Sequence, residues 1–324
     1  MTVRWGVIGP GGIAERFAAA MSDVDDGRIV AVASRSTERA DVYGDRHDVP
    51  HRYGGPDAVA ELVGDDEVDA VYVATPNQRH LDDAVAGLDA GRAVLVEKPI
   101  ALDVAQAERM AAVARDRGVF LMEALWSRFL PGYRILREVL DEGRIGTPLV
   151  AEADFGFVAP VDPTHRLFAP ELGGGALLDL GIYAVHLCSW ALGEVEDVAA
   201  RGVIGSTDVD EIVTGLLRHR DGGLGVVKAA VRASLSCTAR ISGSDGWIAV
   251  PAFMHCPTEL TVAGGGRVET IDASFTGDGL RFEIDEVHRC LAAGRVESDV
   301  MPLAASLAQL RVLDAIRTQI RATR

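Results

Sequence analysis

Lysine is almost missing from this chain. Of 32 basic residues two are lysines, Lys98 and Lys228, and arginine serves everywhere else. An exposed cation is ordinarily an arginine here, so each retained lysine asks for a reason. Positive charge as a whole is also short, since 48 acidic residues leave a formal net charge of −16. That balance argues against nucleic acid as a partner, because phosphate-backbone binding needs a basic face that releases counterions. Cysteine is scarce too, and Cys188, Cys237, Cys256 and Cys290 form no C-x-x-C pair. Free, mostly buried thiols in a reducing cytosol are expected, with no disulfide and no metal site. Neither an apolar run of membrane-spanning length nor a basic segment leading into an apolar one is seen. The expectation is a cytoplasmic protein without a membrane partner.

What is present suits a folded chain of two domains: 324 residues, 48% hydrophobic and 25% charged. Residues 1–123 alternate apolar, β-branched runs with helical patterns. In order they are "VRWGVIG", a helix through "IAERFAAAM", "RIVAVAS", a helix from Thr37, "VDAVYVAT", "HLDDAVAGLDAG", "AVLVE", "VAQAERMAAVARDRG" and "VFLME". Runs apolar at nearly every residue are typical of parallel strands covered on both faces, so the expected fold is α/β, a doubly wound parallel sheet that binds a dinucleotide. Asp103 followed by Gln106 is an aspartate form of the capping box that starts one of these helices, and Gly118 ends it. Residues 124–324 change texture. An amphipathic helix, "RILREVLDEGRIG", precedes the Gly-rich "ELGGGALLDLG". At least five strand-like runs lie between 195 and 272, and two helical patterns close the chain. This predicts an α+β domain with a large, open, mostly antiparallel sheet.

The chemistry-bearing motifs sit at strand ends. "GVIGPGGIA" places Gly9, Gly11 and Ala14 as G-x-G-x-x-A between the first strand and the first helix. Such a turn lets backbone approach a pyrophosphate while helix N-terminal amides face the anion, so Gly9, Gly11, Gly12 and Ile13 are cofactor-binding candidates. The second strand ends in Ser34, Arg35, Ser36 and Thr37 without an acidic residue to hold ribose hydroxyls. That favours a 2′-phosphate, with Arg39 a helper, and hence NADP over NAD; the competing reading makes Arg35 a solvated helix-start residue. After "VYVA", Thr75, Asn77 and His80 stand where a cofactor or substrate passes, although Asn77 as a helix N-cap and His80 as a surface histidine account for them equally.

Lys98 follows "VLVE" and precedes Pro99 at the mouth of the same crevice. A flexible ammonium there can bond a substrate hydroxyl, and burial can bring its pKa towards neutrality for proton transfer. In "GGGALLDLGIYAVHL", Asp179 and Tyr183 are four apart and share a helix face. A neighbouring lysine cation lowers a tyrosine pKa, which suits a proton relay for alcohol oxidation, although tyrosine in an apolar helix is often core. His186 and Cys188, two apart, do not face one another, and no metal is expected.

At these residues the chain resembles the Gfo/Idh/MocA oxidoreductases, over essentially its whole length. The "GPGGIA" turn, "EKP" at 97–99 and the Gly-rich segment before a D-x-x-x-[HY] helix carry the resemblance. "MEALWSRFLP" at 122–131 and Tyr183, where many relatives have histidine, are similar to the branch of dimeric dihydrodiol dehydrogenase and NADP-dependent D-xylose 1-dehydrogenase. The resemblance implies hydride transfer between a nicotinamide and a hydroxyl-bearing carbon of a sugar, cyclic polyol or related compound. Lys98 and Tyr183 then handle the hydroxyl proton, with Asp179 orienting or tuning them. It implies Glu97 and Trp126 beside the cofactor, and Trp126, Arg128, Phe155 and Tyr183 near the substrate, where His80 stands by its strand-end position. Arg166, in the irregular "FVAPVDPTHRLFAPE", either reaches the substrate or covers the cleft. A homodimer through the open sheet is implied, as is a cis Lys98–Pro99 bond that aims the ammonium at the nicotinamide. Two alternatives use the same residues: a trans-dihydrodiol dehydrogenase, and a catalytically silent dinucleotide sensor.

Overall fold

The structure, a computed structural model, describes residues 2–322. The chain opens with β1 (Val3–Ile8), α1 (Gly12–Met21), β2 (Gly27–Ser34), α2 (Thr37–His47), β3 (His51–Gly54), α3 (Ala58–Val63), β4 (Ala70–Val73), α4 (His80–Asp89), β5 (Ala93–Glu97), α5 (Val104–Arg117) and β6 (Leu121–Ala124). The six strands form one sheet in the order β3-β2-β1-β4-β5-β6, and every pairing is parallel. Strand order reverses between β1 and β4, and ligands of doubly wound sheets bind outside the carboxyl ends at that point. Every residue of β4 and β5 is buried, as strands covered on both faces must be. Phe17 of α1 stacks on Tyr72 of β4 at 4.0 Å and meets Trp5 edge-on at 5.3 Å, which fixes α1 against the sheet beneath the Gly-rich turn. The Asp103 carboxylate accepts the Gln106 N–H at 2.9 Å, and Gly118 closes α5 at φ 64°. β3 and α3, short and weakly patterned, add a strand and a helix that the residue pattern does not announce.

The chain continues with α6 (Pro131–Asp141), β7 (Pro148–Gly156), a widened π-type turn (Leu177–Gly181) running into α7 (Ile182–Leu192), then β8 (Val195–Ile204), β9 (Asp210–His219), β10 (Leu224–Ala230), β11 (Ala239–Gly243), β12 (Gly246–Val250), β13 (Glu259–Gly264) and β14 (Arg267–Asp272). Eight strands form the second sheet in the order β14-β13-β12-β11-β7-β10-β9-β8. Only the β7–β10 pair is parallel. Pro170–Leu192 has the mean hydropathy (1.4) and length of a membrane span, but 83% of that window is buried within the protein. It is a core segment, apolar because it packs under the sheet.

The last helices are α8 (Arg281–Ala292) and α9 (Leu303–Ala322). Two compact units result: one runs from the N-terminus through Phe129 and takes in Thr276–Leu307, and the other comprises Leu130–Phe275 and the chain from Ala308 on. The division at 123/124 expected from sequence is contiguous, whereas these contact units interleave along the chain. Nothing local in "GLRFEIDEVHRCLAAG" says which sheet its apolar face covers, and α8 returns to the first unit. His288 holds it there. The Trp5 indole N–H donates to His288 Nε2 at 2.9 Å, and His288 Nδ1 lies 2.6 Å from Asp26 Oδ1. Since an indole N–H can only donate, Nε2 is the acceptor, and the neutral ring donates from Nδ1 to the carboxylate. In the second unit, Gln319 of α9 accepts the Ala200 N–H at 2.8 Å and donates to the Val198 carbonyl at 2.6 Å. It thereby satisfies backbone groups on the edge strand β8.

His288→Ala strands the buried Trp5 N–H and is expected to destabilise the protein by about 2 kcal/mol. Urea unfolding followed by tryptophan fluorescence measures this; an unchanged midpoint would remove His288 as the anchor of α8.

Candidate active site

The first unit presents a phosphate cradle built from backbone. Gly9 has φ 91°, and a Cβ there would lie 2.8 Å from the Thr75 side chain and 3.0 Å from its backbone nitrogen, so only glycine lets β1 turn so close to the end of β4. At Gly11 and Gly12 the reverse holds: a Cβ would meet nothing within 4 Å. Gly11 is the N-cap of α1 and supplies no side chain to its first turn. Gly12 and Ile13 open the first turn of α1, where N–H groups have no intrahelical acceptor and lie at the positive end of the helix, which fits the pyrophosphate of a dinucleotide.

At the end of β2, Ser34 Oγ accepts the Ser36 N–H at 3.2 Å and Ser36 Oγ accepts the Arg39 N–H at 3.3 Å. Each hydroxyl keeps its own hydrogen to donate. The Arg39 guanidinium reaches the Pro10 carbonyl at 3.2 Å, above the glycine turn, while Arg35 is exposed. At the end of β4, the Thr75 hydroxyl donates to Asp83 at 2.8 Å, and Arg79 holds the other oxygen of the same carboxylate at 2.6 Å. Asn77 begins a 3₁₀ turn (Asn77–Arg79) and does not cap α4.

Lys98 sits on a loop pinned at three consecutive residues. Its own N–H donates to Glu97 Oε2 at 3.1 Å, the Pro99 carbonyl faces His80 Nδ1 at 2.9 Å, and the Ile100 N–H donates to Glu123 Oε1 at 3.0 Å. The Lys98–Pro99 bond is cis, as expected. His80, which the sequence also allowed as a surface histidine, is not at the surface. Its side chain is fully buried, with the second nitrogen 2.9 Å from the Thr75 carbonyl, so it braces two loops at the strand ends. Burial holds its pKa below the usual value, favouring a neutral ring that donates to one of the two carbonyls. Trp126, nearly buried, lies under the Arg16 guanidinium at 4.8 Å. Lys228 differs from Lys98 in every respect that matters: it is exposed on β10, 3.4 Å from Asp154.

The second unit supplies an aromatic wall and a buried acid. Asp179 lies in the π-type turn and takes both arms of the Arg166 guanidinium, at 2.9 and 3.4 Å. Arg166 is thus tied to the acid rather than free in its loop. Tyr183, in the first turn of α7, packs its ring 5.8 Å from Phe155 and 5.2 Å from His255, and Phe155 and His255 stack at 4.5 Å.

Residues 3–125 match a family described as an oxidoreductase family with an NAD-binding Rossmann fold, and residues 133–249 match the Gfo/Idh/MocA C-terminal domain. The chain belongs to the Gfo/Idh/MocA oxidoreductase family. Curated relatives include trans-1,2-dihydrobenzene-1,2-diol dehydrogenase of Mus musculus, 38% identical over all of this chain and 98% of that protein. The Homo sapiens protein of the same name is 36% identical, over 100% and 98% of the two chains. Among solved structures, aldose-aldose oxidoreductase from Caulobacter crescentus superposes with a TM-score of 0.90 at 26% identity, covering 100% of this chain and 99% of that one. A 3-ketoreductase from Actinomadura kijaniata, in complex with NADP and TDP-benzene, gives 0.88 at 29% identity and 98% coverage of both.

Two site residues in this Gfo/Idh/MocA chain escape reading from sequence. His255 lies in the β12–β13 connection, where nothing in "AFMHCPT" marks a ring that stacks on Phe155. Asp210 opens β9 yet accepts the Leu177 N–H at 2.6 Å, anchoring the turn that carries Asp179. Gly175, φ 124°, makes room for it: a Cβ there would lie 2.3 Å from Asp210 Oδ1.

Burial pushes the Asp210 carboxyl up to about 6, against about 4 in an unfolded chain. A raised carboxyl supports the fold fully while protonated, below its unfolded pKa, and that support is lost as pH rises through the folded pKa. The loss is about 3 kcal/mol. Asp210→Asn keeps an acceptor but cannot ionise, so it is expected to gain about that much stability relative to wild type between about pH 4 and pH 7. Urea unfolding across that range checks this, and parallel curves for the two proteins would refute it.

Proposed function

We propose that the chain is an NADP-dependent dehydrogenase that oxidises a hydroxyl-bearing carbon of a sugar, cyclic polyol or related compound. The pinned Lys98 carries the reading. β1 and β5 are two strand spacings apart, about 10 Å, so the Gly9–Gly12 turn and Lys98 border the same strand-end crevice. A bound nicotinamide dinucleotide supplies the hydride acceptor. Backbone amides at Gly12 and Ile13 hold its pyrophosphate, at the turn made by Gly9 and Gly11. Ser34, Arg35, Ser36 and Arg39 suit a 2′-phosphate, because the end of β2 carries two hydroxyls and two guanidinium groups and no carboxylate. Thr75, Asn77, Glu97 and Trp126 border the cofactor, Thr75 and Glu97 through the loops they hold. Lys98 binds the substrate oxygen and Tyr183 takes its proton, while the carbon gives up hydride and becomes a carbonyl. Asp179, held by Arg166, orients the helix face that bears Tyr183, and Phe155 lines the substrate side. The Actinomadura ketoreductase was also solved with a lysine replaced by alanine and a tyrosine by phenylalanine, which supports these two roles. Retention of lysine, aspartate and tyrosine disfavours a silent sensor.

A trans-dihydrodiol substrate is the second reading. It is favoured by the full-length similarity to the diol dehydrogenases and by the ring wall of Phe155, Tyr183 and His255, which suits a flat apolar substrate.

We place the enzyme in the cytoplasm as a homodimer through the open face of the second sheet. Val150, Val203, Leu216 and Leu224 share that face and are exposed.

Reduction of NADP and NAD, measured across aldoses, inositols and trans-diols, should show turnover with NADP preferred. Lys98→Ala and Tyr183→Phe are each expected to lose 100-fold or more, roughly the worth of a proton-transfer group, while still binding NADPH. Full activity in either variant removes that residue from the chemistry, and equal use of NAD removes the 2′-phosphate argument. Leu216→Arg with Leu224→Arg should convert a dimer to a monomer in sedimentation; an unchanged assembly, or a monomeric wild type, refutes the interface.

A further inference from the structure

Of the carboxyl groups that the first unit buries, Glu97 is well supplied with donors and Glu283 is not. Glu97, at the end of β5, receives the Tyr72 hydroxyl at 2.5 Å on Oε1 and the Lys98 N–H on Oε2. The Tyr72 distance is that of an O–H donating to an ionised carboxylate. Glu283, in the first turn of α8, is fully buried, and neither of its oxygens has a hydrogen-bond partner among the described residues. An ionised carboxylate without donors is among the most costly groups to bury. The charged groups that bear on Glu283 are Glu97 from β5, Arg16 from α1 and Asp278 just ahead of its own helix. Arg16 gives both arms to Asp278 at 2.9 Å each, while Arg128 of the 126–129 turn bears on Glu123. Two like charges cannot both persist in such a place, and the donors choose between them.

We propose that Glu283 is held as a neutral carboxylic acid behind Glu97, and that the pair keeps one negative charge and one proton beside Lys98. Both are positioning residues. The Glu97 carboxylate favours the ammonium form of Lys98, and the proton on Glu283 prevents a second negative charge from raising the lysine further. Burial, with Glu97 nearby, pushes the Glu283 carboxyl well above its ordinary range, in keeping with this arrangement. The consequence for catalysis rests on the reading of Lys98 above; the protonation of Glu283 does not.

The scarcity of lysine makes the test clean. In a Lys228→Arg background Lys98 is the only lysine, so reductive methylation with ¹³C-formaldehyde gives one ε-amine resonance whose chemical shift follows its titration. Glu97→Gln is expected to lower the Lys98 pKa by about one unit, a tenfold rise in free amine at a given pH. Glu283→Gln is expected to leave it unchanged. An equal fall in both variants means that Glu283 is ionised and overturns the proposal. Infrared difference spectra of the full-length protein at neutral pH form the second arm. A protonated-carboxyl C=O band that shifts in D₂O should be present in wild type and missing from Glu283→Gln. Its absence from wild type overturns the proposal even if Glu97→Gln fails to fold. Full turnover in Lys98→Ala would instead sink the catalytic reading and leave the band and the titration as they are.

Discussion

The Lys98 loop is the constraint around which the first unit is arranged. Three successive residues, 98, 99 and 100, each have a backbone group tied to a buried side chain, and those side chains come from β5, α4 and the end of β6. A lysine side chain has four rotatable carbons and sweeps a wide volume unless its base is fixed. Here the base is fixed by Glu97, His80 and Glu123, all nearly or fully out of water. Burial pushes the Glu97 and Glu123 carboxyls above their ordinary range, which marks the strain of placing acids there. Proteins tolerate such groups where a geometry has to be held for chemistry.

The second unit solves the same problem with packing. Tyr183 and Asp179 stand on a segment whose turn is widened, whose backbone is anchored by Asp210 and whose approach is cleared by Gly175. The rings of Phe155 and His255 then flank the tyrosine. A tilted or stacked aromatic contact contributes about 1 kcal/mol beyond burial, enough to restrict the phenol without closing it off. Tyr183 stays slightly exposed, in keeping with the proposed proton transfer.

Arginine carries the rest of the charge pattern, and most of its pairs are of little energetic weight. Arg46 with Glu15 and Arg220 with Glu194 are exposed pairs, whose contribution is about 1 kcal/mol or less. Arg16 and Arg166 differ because each grips a carboxylate with two arms next to a candidate site residue, Trp126 in one case and Asp179 itself in the other. Planar, bidentate donors restrict orientation in a way that a lysine cannot. That difference fits the proposed use of Lys98, a lone flexible cation on a pinned loop, as the group that meets the substrate oxygen.

Sequence by itself determined whatever depends on a few neighbouring residues. The glycines of the β1–α1 turn, the Asp103 cap, the Gly118 stop, the buried parallel strands and the prominence of Lys98 and Tyr183 all follow from local sterics, hydrogen bonding and period. Tertiary structure alone decided what depends on partners far along the chain. It set β3 and β7 into their sheets, returned α8 to the first unit through His288 and Trp5, buried His80 as a brace between two loops, and brought His255 to Tyr183. It also left Glu283 without a donor among the described residues. Burial and hydrogen-bond supply are properties of the folded surroundings, so no window of sequence states whether a histidine is at the surface or a glutamate is charged.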